Sequence, residues 1–464
     1  MKKTPVIAIF DVGKTNKKLL LFDQQYHPVH EESMKLPEIS DEDGFACEDV
    51  AALTAWVKES FTRLAADVRF DIKAVNFSAY GASFVYLDDK GEVFLPLYNY
   101  LKPFDKKLQD QFYSKYGGDS LVAKQTASPV LGSLNSGMQL YRLKHEQPES
   151  FKKIQYALHL PQYLSYVLTG KINADITSVG CHTNLWHFQK NNYHPWVKDE
   201  GVMEKLPAIL GSTEIAGYTE PNKIPVGGGL HDSSAALIPY LASFKEPFIL
   251  LSTGTWCISL NPFNYSQLSD YELCEDCLCY LSYEGKPVKA SRLFAGYEHE
   301  QQLKRLAGHY QMPEDHYTTV KPDLELMRKM RKRKNELQKK EQTAMVGQSA
   351  FAKRNLNEFK SYEEAYHQLI EDIVTQQLRS TNIVLKGTRV KKIFVDGGFG
   401  NNPIYMQLLT MAFPDLEVYA ASVAQATAMG AALAIHKKWN KEKVPADLVK
   451  LKSYKPEDAM KTVA

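Results

Sequence analysis

Two stretches of the sequence share one pattern, in which an apolar strand enters a short polar turn and a second apolar strand leaves it. The first covers residues 5–23, PVIAIFDVGKTNKKLLLFD, and the second covers residues 247–260, PFILLSTGTWCISL. Continuous apolar, β-branched runs are typical of buried strands, and the backbone N–H groups of such turns can hold phosphate. The repetition predicts two related domains that each offer a loop to one nucleotide; two unrelated hairpins are the alternative.

The first turn allows a second interpretation, because Gly13, Lys14 and Thr15 match the end of the P-loop motif G-x-x-x-x-G-K-[ST]. That motif needs a glycine where Ala8 stands and a helix after the threonine. Ala8 lies inside the predicted strand, and the residues after Thr15 have strand character. The sequence therefore argues against a P-loop and leaves two interpretations of these residues, a hairpin whose turn binds phosphate and an ordinary hairpin. Asp11 cannot contact phosphate without an intervening cation, so we expect it to act through Mg²⁺.

At 464 residues the chain is too long for one hydrophobic core, so two domains are expected. Its formal net charge of +2 gives no reason to expect nucleic acid or an anionic membrane as the main partner. No apolar run approaches the roughly 20 residues of a transmembrane helix, and the start of the sequence has no signal-peptide pattern. The six cysteines are too sparse for a disulfide framework, which predicts a reduced, cytoplasmic protein.

Two further features each leave two interpretations open. Cys274, Cys277 and Cys279 are close enough in sequence to hold zinc, but no second ligand pair is visible, and buried or edge thiols are the favoured alternative. The basic run at residues 326–340, LMRKMRKRKNELQKK, could bind an anionic partner. A solvated helix face is the more common meaning of such a run.

The stretch at residues 224–237, IPVGGGLHDSSAAL, leads from a predicted strand through three glycines into apolar helix formers. Asp232 therefore falls at or near a helix N-terminus, beside a glycine-lined surface. An N-cap aspartate is common at such a position, but a cap accounts for Asp232 alone and leaves the three glycines unexplained. We therefore favour a general base for a hydroxyl group, with His231 as its hydrogen-bond partner.

Glycines also follow two other predicted strands. Gly81 lets the backbone approach a ligand closely, and the pair Gly397 and Gly398 lets a flat ring lie against the backbone. Between these strands, the apolar spacing over residues 148–168 predicts a pair of helices. A glycine pair before a helix is weak evidence by itself, so its meaning depends on the order of the motifs along the chain.

Taken in that order, five groups of residues resemble the motifs of the FGGY carbohydrate kinases, which belong to the actin/hexokinase/Hsp70-like superfamily. Single motifs of this kind are loose, whereas five in the family's order over nearly the whole chain are specific. Within the family, the segments at residues 77–88, 160–170 and 231–235 look like those of rhamnulokinases. The five groups are Asp11 with Thr15 and Asn16, His231 with Asp232, Thr253-Gly254-Thr255, Gly397-Gly398 with Asn402-Pro403, and Ala428-Met429-Gly430-Ala431-Ala432.

The resemblance implies an α/β fold of two actin-like (ribonuclease H-like) domains with an ATP cleft between them. Residues 1–245 would form the sugar-binding N-terminal domain, and residues 246–464 the ATP-binding C-terminal domain. The implied activity is ATP-dependent, Mg²⁺-assisted phosphorylation of a primary hydroxyl of an open-chain ketose. The implied partners are therefore a small sugar and ATP, and a homodimer would be ordinary for this family.

Carried over residue by residue, the resemblance implies that Asp232 takes the hydroxyl proton and that Asp11 orients Mg²⁺. The sugar site would be lined by Gly81, Ala82 and His231. The nucleotide would be held by a larger set consisting of Gly13, Lys14, Thr15, Asn16, Thr253, Gly254, Thr255, Gly397, Gly398 and Asn402.

The chain departs from the family's pattern at three places. Lys14 stands where a small residue or threonine is usual. Ser83 stands where the corresponding segment of rhamnulokinases has an acidic residue, and Gln425 stands where the family often has an acidic residue. The sugar is left open among L-rhamnulose, L-fuculose, L-ribulose and D-xylulose, and glycerol is a further candidate substrate. Two other classes also stay open: a sugar-binding regulator without turnover, and an actin- or Hsp70-like ATPase that moves a protein partner.

Overall fold

A computed structural model describes residues 3–338 and 350–455 of the chain. Within this part, most strands belong to two seven-stranded sheets, and the others form short two-stranded ribbons. The strands are β1 Thr4–Val12, β2 Lys17–Asp23, β3 Pro28–Met34, β4 Glu38–Ser40, β5 Ala46–Glu48, β6 Phe70–Ala79, β7 Phe84–Leu87, β8 Tyr156–His159, β9 Ala174–Asp175, β10 Trp186–His187, β11 Asn192–Tyr193, β12 Ile209–Leu210, β13 Ile215–Tyr218, β14 Pro225–Gly227, β15 Leu230–His231, β16 Phe248–Thr253, β17 Cys257–Asn261, β18 Cys277–Leu281, β19 Pro287–Leu293, β20 Lys392–Gly397, β21 Glu417–Ser422 and β22 Lys450–Tyr454.

The helices fill the connections between these strands. They are α1 Val50–Ala66, α2 Lys106–Lys115, α3 Asp119–Thr126, α4 Ser136–Glu146, α5 Pro148–Lys153, α6 Leu160–Thr169, α7 Ile176–Val179, α8 Pro195–Asp199, α9 Asp232–Ser243, α10 Asp270–Cys274, α11 Ala295–Tyr310, α12 Leu324–Gln338, α13 Tyr362–Leu385, α14 Pro403–Ala412, α15 Ala426–Ala434 and α16 His436–Trp439. No helix in the described part of the chain is long and apolar enough to cross a membrane.

The two large sheets have the same topology. In the first, β2 is antiparallel to β1 and β3, while β6 is parallel to β1 and β14. In the second, β17 is antiparallel to β16 and β19, while β20 is parallel to β16 and β21. The series β3-β2-β1-β6-β14 and β19-β17-β16-β20-β21 therefore match in order and direction. This match confirms the duplication predicted from the two turns and the fold of two actin-like domains.

Helices α9 and α15 pack between the two sheets and join them into one core. Their shared apolar cluster contains Ile7 and Ile9 of the first sheet and Leu250 and Phe394 of the second. The helices approach most closely at Gly430, where a Cβ atom would overlap a backbone carbonyl oxygen of α9. This crossing brings the N-terminal ends of α9 and α15 to the same side of the interface, where residues of both helices line one cavity.

The predicted pair of helices over residues 148–168 is confirmed as α5 and α6, but the link between them was not predicted to be a strand. A strand, β8, separates α5 from α6 and pairs with β7, burying Ala157 and Leu158. A short apolar run cannot be assigned to strand or helix from its spacing alone. The pairing with β7, which is distant in sequence, decides the conformation.

The two features that the sequence left open fall in ordinary structural settings. Cys277 and Cys279 are buried on β18 while Cys274 is exposed at the end of α10, and within the described residues these thiols do not form a metal-binding group. Of the basic run at residues 326–340, residues up to 338 lie in α12, and residues 339 and 340 lie outside the described residues. Met327 of this helix is buried while Lys329 is exposed, which is typical of a solvated amphipathic helix.

Candidate active site

Asp232 is the first residue of α9 and lines a cavity of about 490 Å³ between the two sheets. The N-cap residue of α9 is His231, so capping does not account for the aspartate. The backbone N–H of Ser233 donates to Asp232 Oδ1 at 2.6 Å, and the Ser233 hydroxyl lies 3.2 Å from the same oxygen. Burial raises the pKa of Asp232 to about 6, although the two hydrogen bonds from Ser233 lower it. About a third of the side chain remains exposed.

His231 is buried beside Asp232, with 3.5 Å between His231 Nε2 and Asp232 Oδ1. Burial lowers the pKa of His231 to about 4, so the imidazole is neutral at physiological pH. Gly81 provides the space for the ring, because a Cβ atom there would overlap His231 Cδ2. Ala82 has a left-handed backbone with φ of 63°, and its carbonyl accepts a hydrogen bond from Gln139 at 2.7 Å. Of the three predicted sugar residues, only His231 lines the cavity itself.

Asp11 lies near the end of β1, and its Oδ2 accepts a hydrogen bond from the Thr427 hydroxyl at 2.5 Å. Burial raises the pKa of Asp11 to about 6, and the negative charge of Asp232 also raises it. The hydrogen bond from Thr427 lowers it. Asp11 and Asp232 are therefore electrostatically coupled. A partly buried carboxylate such as Asp11, with a second negative charge nearby, suits a hard divalent cation.

The C-terminal sheet supplies another wall of the same cavity. Ser252 near the end of β16, Asp396 and Gly397 at the end of β20, and Arg292 of β19 all line it. The hydroxyl of Tyr240, on α9, donates to Asp396 Oδ2 at 2.6 Å and ties the two halves together. Burial raises the pKa of Asp396.

A second cavity, of about 470 Å³, is lined by residues of the C-terminal half. Its lining includes most of the nucleotide residues predicted in this half, namely Thr253, Gly254, Thr255, Gly398 and Asn402. Residues that are neighbours in sequence line different cavities. Ser252 and Gly397 line the first cavity, and their successors in sequence line the second.

Thr253 holds the two strand ends together at this boundary. Its hydroxyl donates to the carbonyl oxygen of Asp396 at 2.6 Å and accepts from the backbone N–H of Phe399 at 3.1 Å. Gly397 has φ of 94°, and a Cβ atom there would overlap the Thr253 carbonyl oxygen. A glycine is therefore needed at this position for both conformational and steric reasons.

Asn402 caps α14 at the edge of the second cavity. Its Oδ1 accepts hydrogen bonds from the backbone of Ile404 at 3.0 Å and Tyr405 at 3.1 Å, and its Nδ2 donates to Tyr366 at 2.8 Å. Capping therefore accounts for the side-chain oxygen. The cavity contact of Asn402 is additional to this structural role.

The turn between β1 and β2 has a different setting. The backbone N–H of Gly13 donates to the Asn16 carbonyl at 2.9 Å, and Thr15 and Asn16 are exposed. Lys14 Nζ pairs with Glu38 Oε1 at 2.5 Å. None of the four predicted residues of this turn lines either of the two cavities described above. The structure thus brings Asp11 toward Asp232 and leaves the rest of the turn open to solvent.

Several cavity residues escaped the sequence analysis. Gly296, His299 and Glu300, on or near the first turns of α11, line the second cavity, and a Cβ atom at Gly296 would overlap the Gly254 carbonyl. A glycine that follows a strand, as at Gly397, is a signal that could have identified Gly296. Thr427 had no such signal, because its partner Asp11 is 416 residues away in sequence.

The chain matches two family models. Residues 6–239 match the N-terminal domain of the FGGY family of carbohydrate kinases, and residues 245–443 match the FGGY carbohydrate kinase C-terminal domain. Among curated relatives, it is 24% identical to a rhamnulokinase from Mannheimia succiniciproducens over 54% of this chain and 52% of that protein. It is 26% identical to a probable L-xylulose kinase from Haemophilus influenzae over 53% of this chain and 54% of that protein. The chain thus spans about half the length of these curated relatives.

The solved structures agree on the fold. A carbohydrate kinase from Novosphingobium aromaticivorans superposes with a TM-score of 0.78 at 21% identity, covering 99% of this chain and 96% of that one. Similarity at this level of identity concerns the fold, whereas the two family models together match most of the sequence in the expected order. The chain therefore belongs to the FGGY family of carbohydrate kinases.

Proposed function

We propose that the protein transfers the γ-phosphoryl group of ATP to a primary hydroxyl of an open-chain ketose, with Asp232 as the general base. The main support for the proposal is that the two cavities meet at the ends of the same two strands. The strand ends bearing Ser252 and Gly397 line the cavity of Asp232, and the next residue of each strand end lines the other cavity. A nucleotide in the second cavity could therefore present its terminal phosphate to a hydroxyl beside Asp232.

Asp232 has the electrostatic properties that this role requires. Its pKa is raised by burial to about 6, and a base whose pKa lies near the working pH combines an ionised carboxylate with useful proton affinity. As the sugar oxygen attacks phosphorus, one Asp232 oxygen accepts the hydroxyl proton. Neutral His231, at 3.5 Å, adds no positive charge that would weaken this base. Such a base contributes roughly 10²–10⁴-fold to the rate.

The remaining roles follow from the lining of the two cavities. Gly254 and Thr255 would hold the phosphates, and Gly398 would face the nucleoside in the second cavity. The turn residues Gly13, Lys14, Thr15 and Asn16 line neither cavity, so their proposed contact with the phosphates from the N-terminal half rests on the family resemblance alone. Gly397 and Asn402 would complete the nucleotide set. Gly81 would shape the sugar site by leaving room for the His231 ring, and Ala82 is kept as a proposed sugar contact on the family resemblance.

Asp11 is the residue that would hold Mg²⁺, directly or through water. Its carboxylate is partly buried, has a pKa raised to about 6 and is repelled by Asp232, which fits a bound hard cation. Mg²⁺, when bound, would neutralise charge on the transferred phosphoryl group. Closure of the two domains would exclude water that competes for the same phosphoryl group.

Within this reaction, we propose a deoxyketohexose such as L-rhamnulose or L-fuculose as the substrate class. The proposal rests on the rhamnulokinase-like segments of the sequence and on a curated relative named as a rhamnulokinase. The relative named as an L-xylulose kinase makes a ketopentose the main competitor. The free thiols of all six cysteines are in keeping with a reducing, cytoplasmic location.

A coupled assay of ADP release with separate additions of 6-deoxyketohexoses, ketopentoses and glycerol tests the proposal. We expect release that depends on sugar and is fastest with a deoxyketohexose. Sugar-independent release would indicate an ATPase, and sugar binding without release would indicate a regulator. Either result would contradict the kinase assignment, whereas faster release with a pentulose or glycerol would contradict only the substrate class.

A further inference from the structure

The wall of the cavity beside Asp232 carries a thiol, Cys181, and an imidazole, His182, that the proposed reaction does not use, and both lie close to His231 of the proposed sugar site. Cys181 and His182 follow α7, and His231 comes from β15, 50 residues later. One ligand atom from each of these three side chains lies within 4.8 Å of the other two. All three residues line the cavity, so the group is accessible from it.

The spacing of these atoms is close to that of a coordination shell. With Zn–S of about 2.3 Å and Zn–N of about 2.0 Å, a tetrahedral ion separates its sulfur and nitrogen ligands by about 3.5 Å. The distance from Cys181 Sγ to His231 Nε2 is 3.4 Å. A modest movement of His182 would bring the third ligand to a similar separation.

The hydrogen bonds of the two rings leave one nitrogen of each available to an ion. Nδ1 of His182 lies 3.2 Å from the Leu134 carbonyl oxygen, so an N–H there donates to that carbonyl and leaves the Nε2 lone pair available. A backbone carbonyl of this kind is the usual outer partner of a metal-binding histidine. Nδ1 of His231 is buried with no hydrogen-bond partner in the described part of the chain, so no hydrogen bond opposes the tautomer with a lone pair on Nε2.

From this geometry we propose that Cys181, His182 and His231 bind a thiophilic divalent transition-metal ion such as Zn²⁺. One thiol and two imidazoles favour Zn²⁺ over Mg²⁺, which prefers oxygen ligands. Binding forms a bond from the metal to Cys181 Sγ and releases the thiol proton to water. Arg292 lines the same cavity, and its charge is offset by an ion pair with Asp276 at 2.6 Å.

Three protein ligands leave a fourth position open to the cavity. Asp232 Oδ1 lies 3.5 Å from His231 Nε2, within reach of an ion bound at that nitrogen. An ion at this site would therefore occupy the base and the space of the sugar hydroxyl, and would inhibit in competition with the sugar but not with ATP. This inhibitory part rests on the proposed function, whereas the metal site itself does not.

The test is equilibrium dialysis of the full-length protein against Zn²⁺, together with absorption spectra of the Co²⁺-loaded protein. The variant Cys181→Ala removes the proposed thiolate, and Cys279→Ala is the matched control, because it removes another buried thiol from the other cysteine group. We expect one equivalent of Zn²⁺ and a thiolate-to-Co²⁺ charge-transfer band in the wild type and in Cys279→Ala. Cys181→Ala should lose the band and about 100-fold or more in affinity, since even outer-sphere changes cost up to that much.

If Cys181→Ala does not fold, His182→Asn keeps the experiment decisive, because asparagine tolerates the left-handed φ of 40° at this position. No bound metal in the wild type, or unchanged binding in Cys181→Ala or His182→Asn, would overturn the site. Binding that fails to compete with the sugar in the kinase assay would overturn only the inhibitory part. Because dialysis needs no turnover, a failure of the metal site is distinguishable from a failure of the kinase assignment.

Discussion

The turns after β1 and β16 occupy equivalent places in two sheets of equal topology, yet their chemistry differs. The first carries an acid and a base, and both are engaged by the protein: Asp11 with Thr427 and Lys14 with Glu38. The second turn, at Gly254, has no charged side chain, and it lies against a cavity of about 470 Å³. The duplicated element thus supplies charge in one half and an open, neutral backbone in the other.

This difference indicates that the two halves of the duplicated fold have different roles in the proposed reaction. Backbone N–H groups at an unobstructed turn bind phosphate without a competing ion pair. A partly buried carboxylate such as Asp11 suits a cation instead. We therefore expect the two turns to respond differently when each is changed, and Asp232, the proposed base, to have the largest effect of all.

Asp232→Asn should lower kcat by about 100-fold or more, because removal of a general base costs roughly 10²–10⁴-fold. The amide keeps the size of the side chain, so KM for the sugar and for ATP should change little. Steady-state kinetics and calorimetric titration of each substrate measure these quantities separately. Asp110→Asn, at an exposed position of α2, is the matched control and should leave kcat unchanged. Turnover near the wild-type rate in Asp232→Asn would remove Asp232 as the base.

The paired variants Gly254→Ala and Gly13→Ala compare the two turns directly. A Cβ atom at position 254 has no neighbour closer than 4.0 Å, so the fold tolerates it, and its main effect is to crowd the phosphate. We expect KM for ATP to rise about 10- to 100-fold, the equivalent of one or two charge-assisted hydrogen bonds. A Cβ atom at position 13 would lie 3.2 Å from the Asn16 carbonyl, outside the nucleotide cavity, and should cost less. Equal effects on KM would mean that both turns bind phosphate alike.

The pH profile of kcat/KM should report the two coupled carboxylates. Asp232 and Asp11 have pKa values raised to about 6, and both must be ionised for the proposed roles. Activity should therefore fall below about pH 6, by about tenfold at pH 5 for one such group. The apparent pKa values belong to the pair rather than to either residue. A flat profile between pH 5 and pH 7 would exclude a base of this kind.

Unfolding should not cause this loss. A carboxyl group whose pKa is raised in the folded state binds its proton more tightly there than in the unfolded chain, so protonation between about pH 4 and pH 6 favours the fold. Thermal melting at pH 5 and pH 7 checks this. The contribution of Asp11 and Asp232 to the free energy of unfolding should be larger at pH 5 than at pH 7. Both ionised carboxylates thus lower the stability of the fold at neutral pH, as is common for groups with perturbed pKa values at functional sites.

The sequence predicts the parts of this arrangement that depend on local pattern. The apolar runs on either side of Gly13 and Gly254 indicate the two hairpins, and from them the duplication, because buried strands of this kind read as continuous apolar segments. The glycines before Asp232 set it apart from an ordinary cap. Long-range packing cannot be predicted in this way: the hydrogen bond from Thr427 to Asp11 depends on how α15 packs against β1.

The assignment of residues to the two cavities is equally a product of packing. Ser252 and Thr253 are neighbours in sequence, yet they line different cavities because the boundary runs through the end of β16. The thiol of Cys181 meets His231 where α7 lies against β15, with the backbone N–H of His231 donating to the Thr177 hydroxyl at 3.0 Å, and the two segments lie about 50 residues apart in sequence. No periodicity within either segment contains this information.

The smallest expected effect concerns Lys14, which departs from the family's pattern. Lys14 and Glu38 are partly exposed, with 25% and 45% of their side chains accessible, and such pairs contribute about 0–1 kcal/mol. If Lys14 serves chiefly in this pair, Lys14→Ala should change KM for ATP by less than about fivefold, and Glu38→Ala should behave alike. If Lys14 binds phosphate, the two variants diverge: Lys14→Ala raises KM, while Glu38→Ala frees the ammonium group and lowers it. Measuring both at low and high salt separates the cases, because a phosphate contact weakens with added salt in the wild type and not in Lys14→Ala.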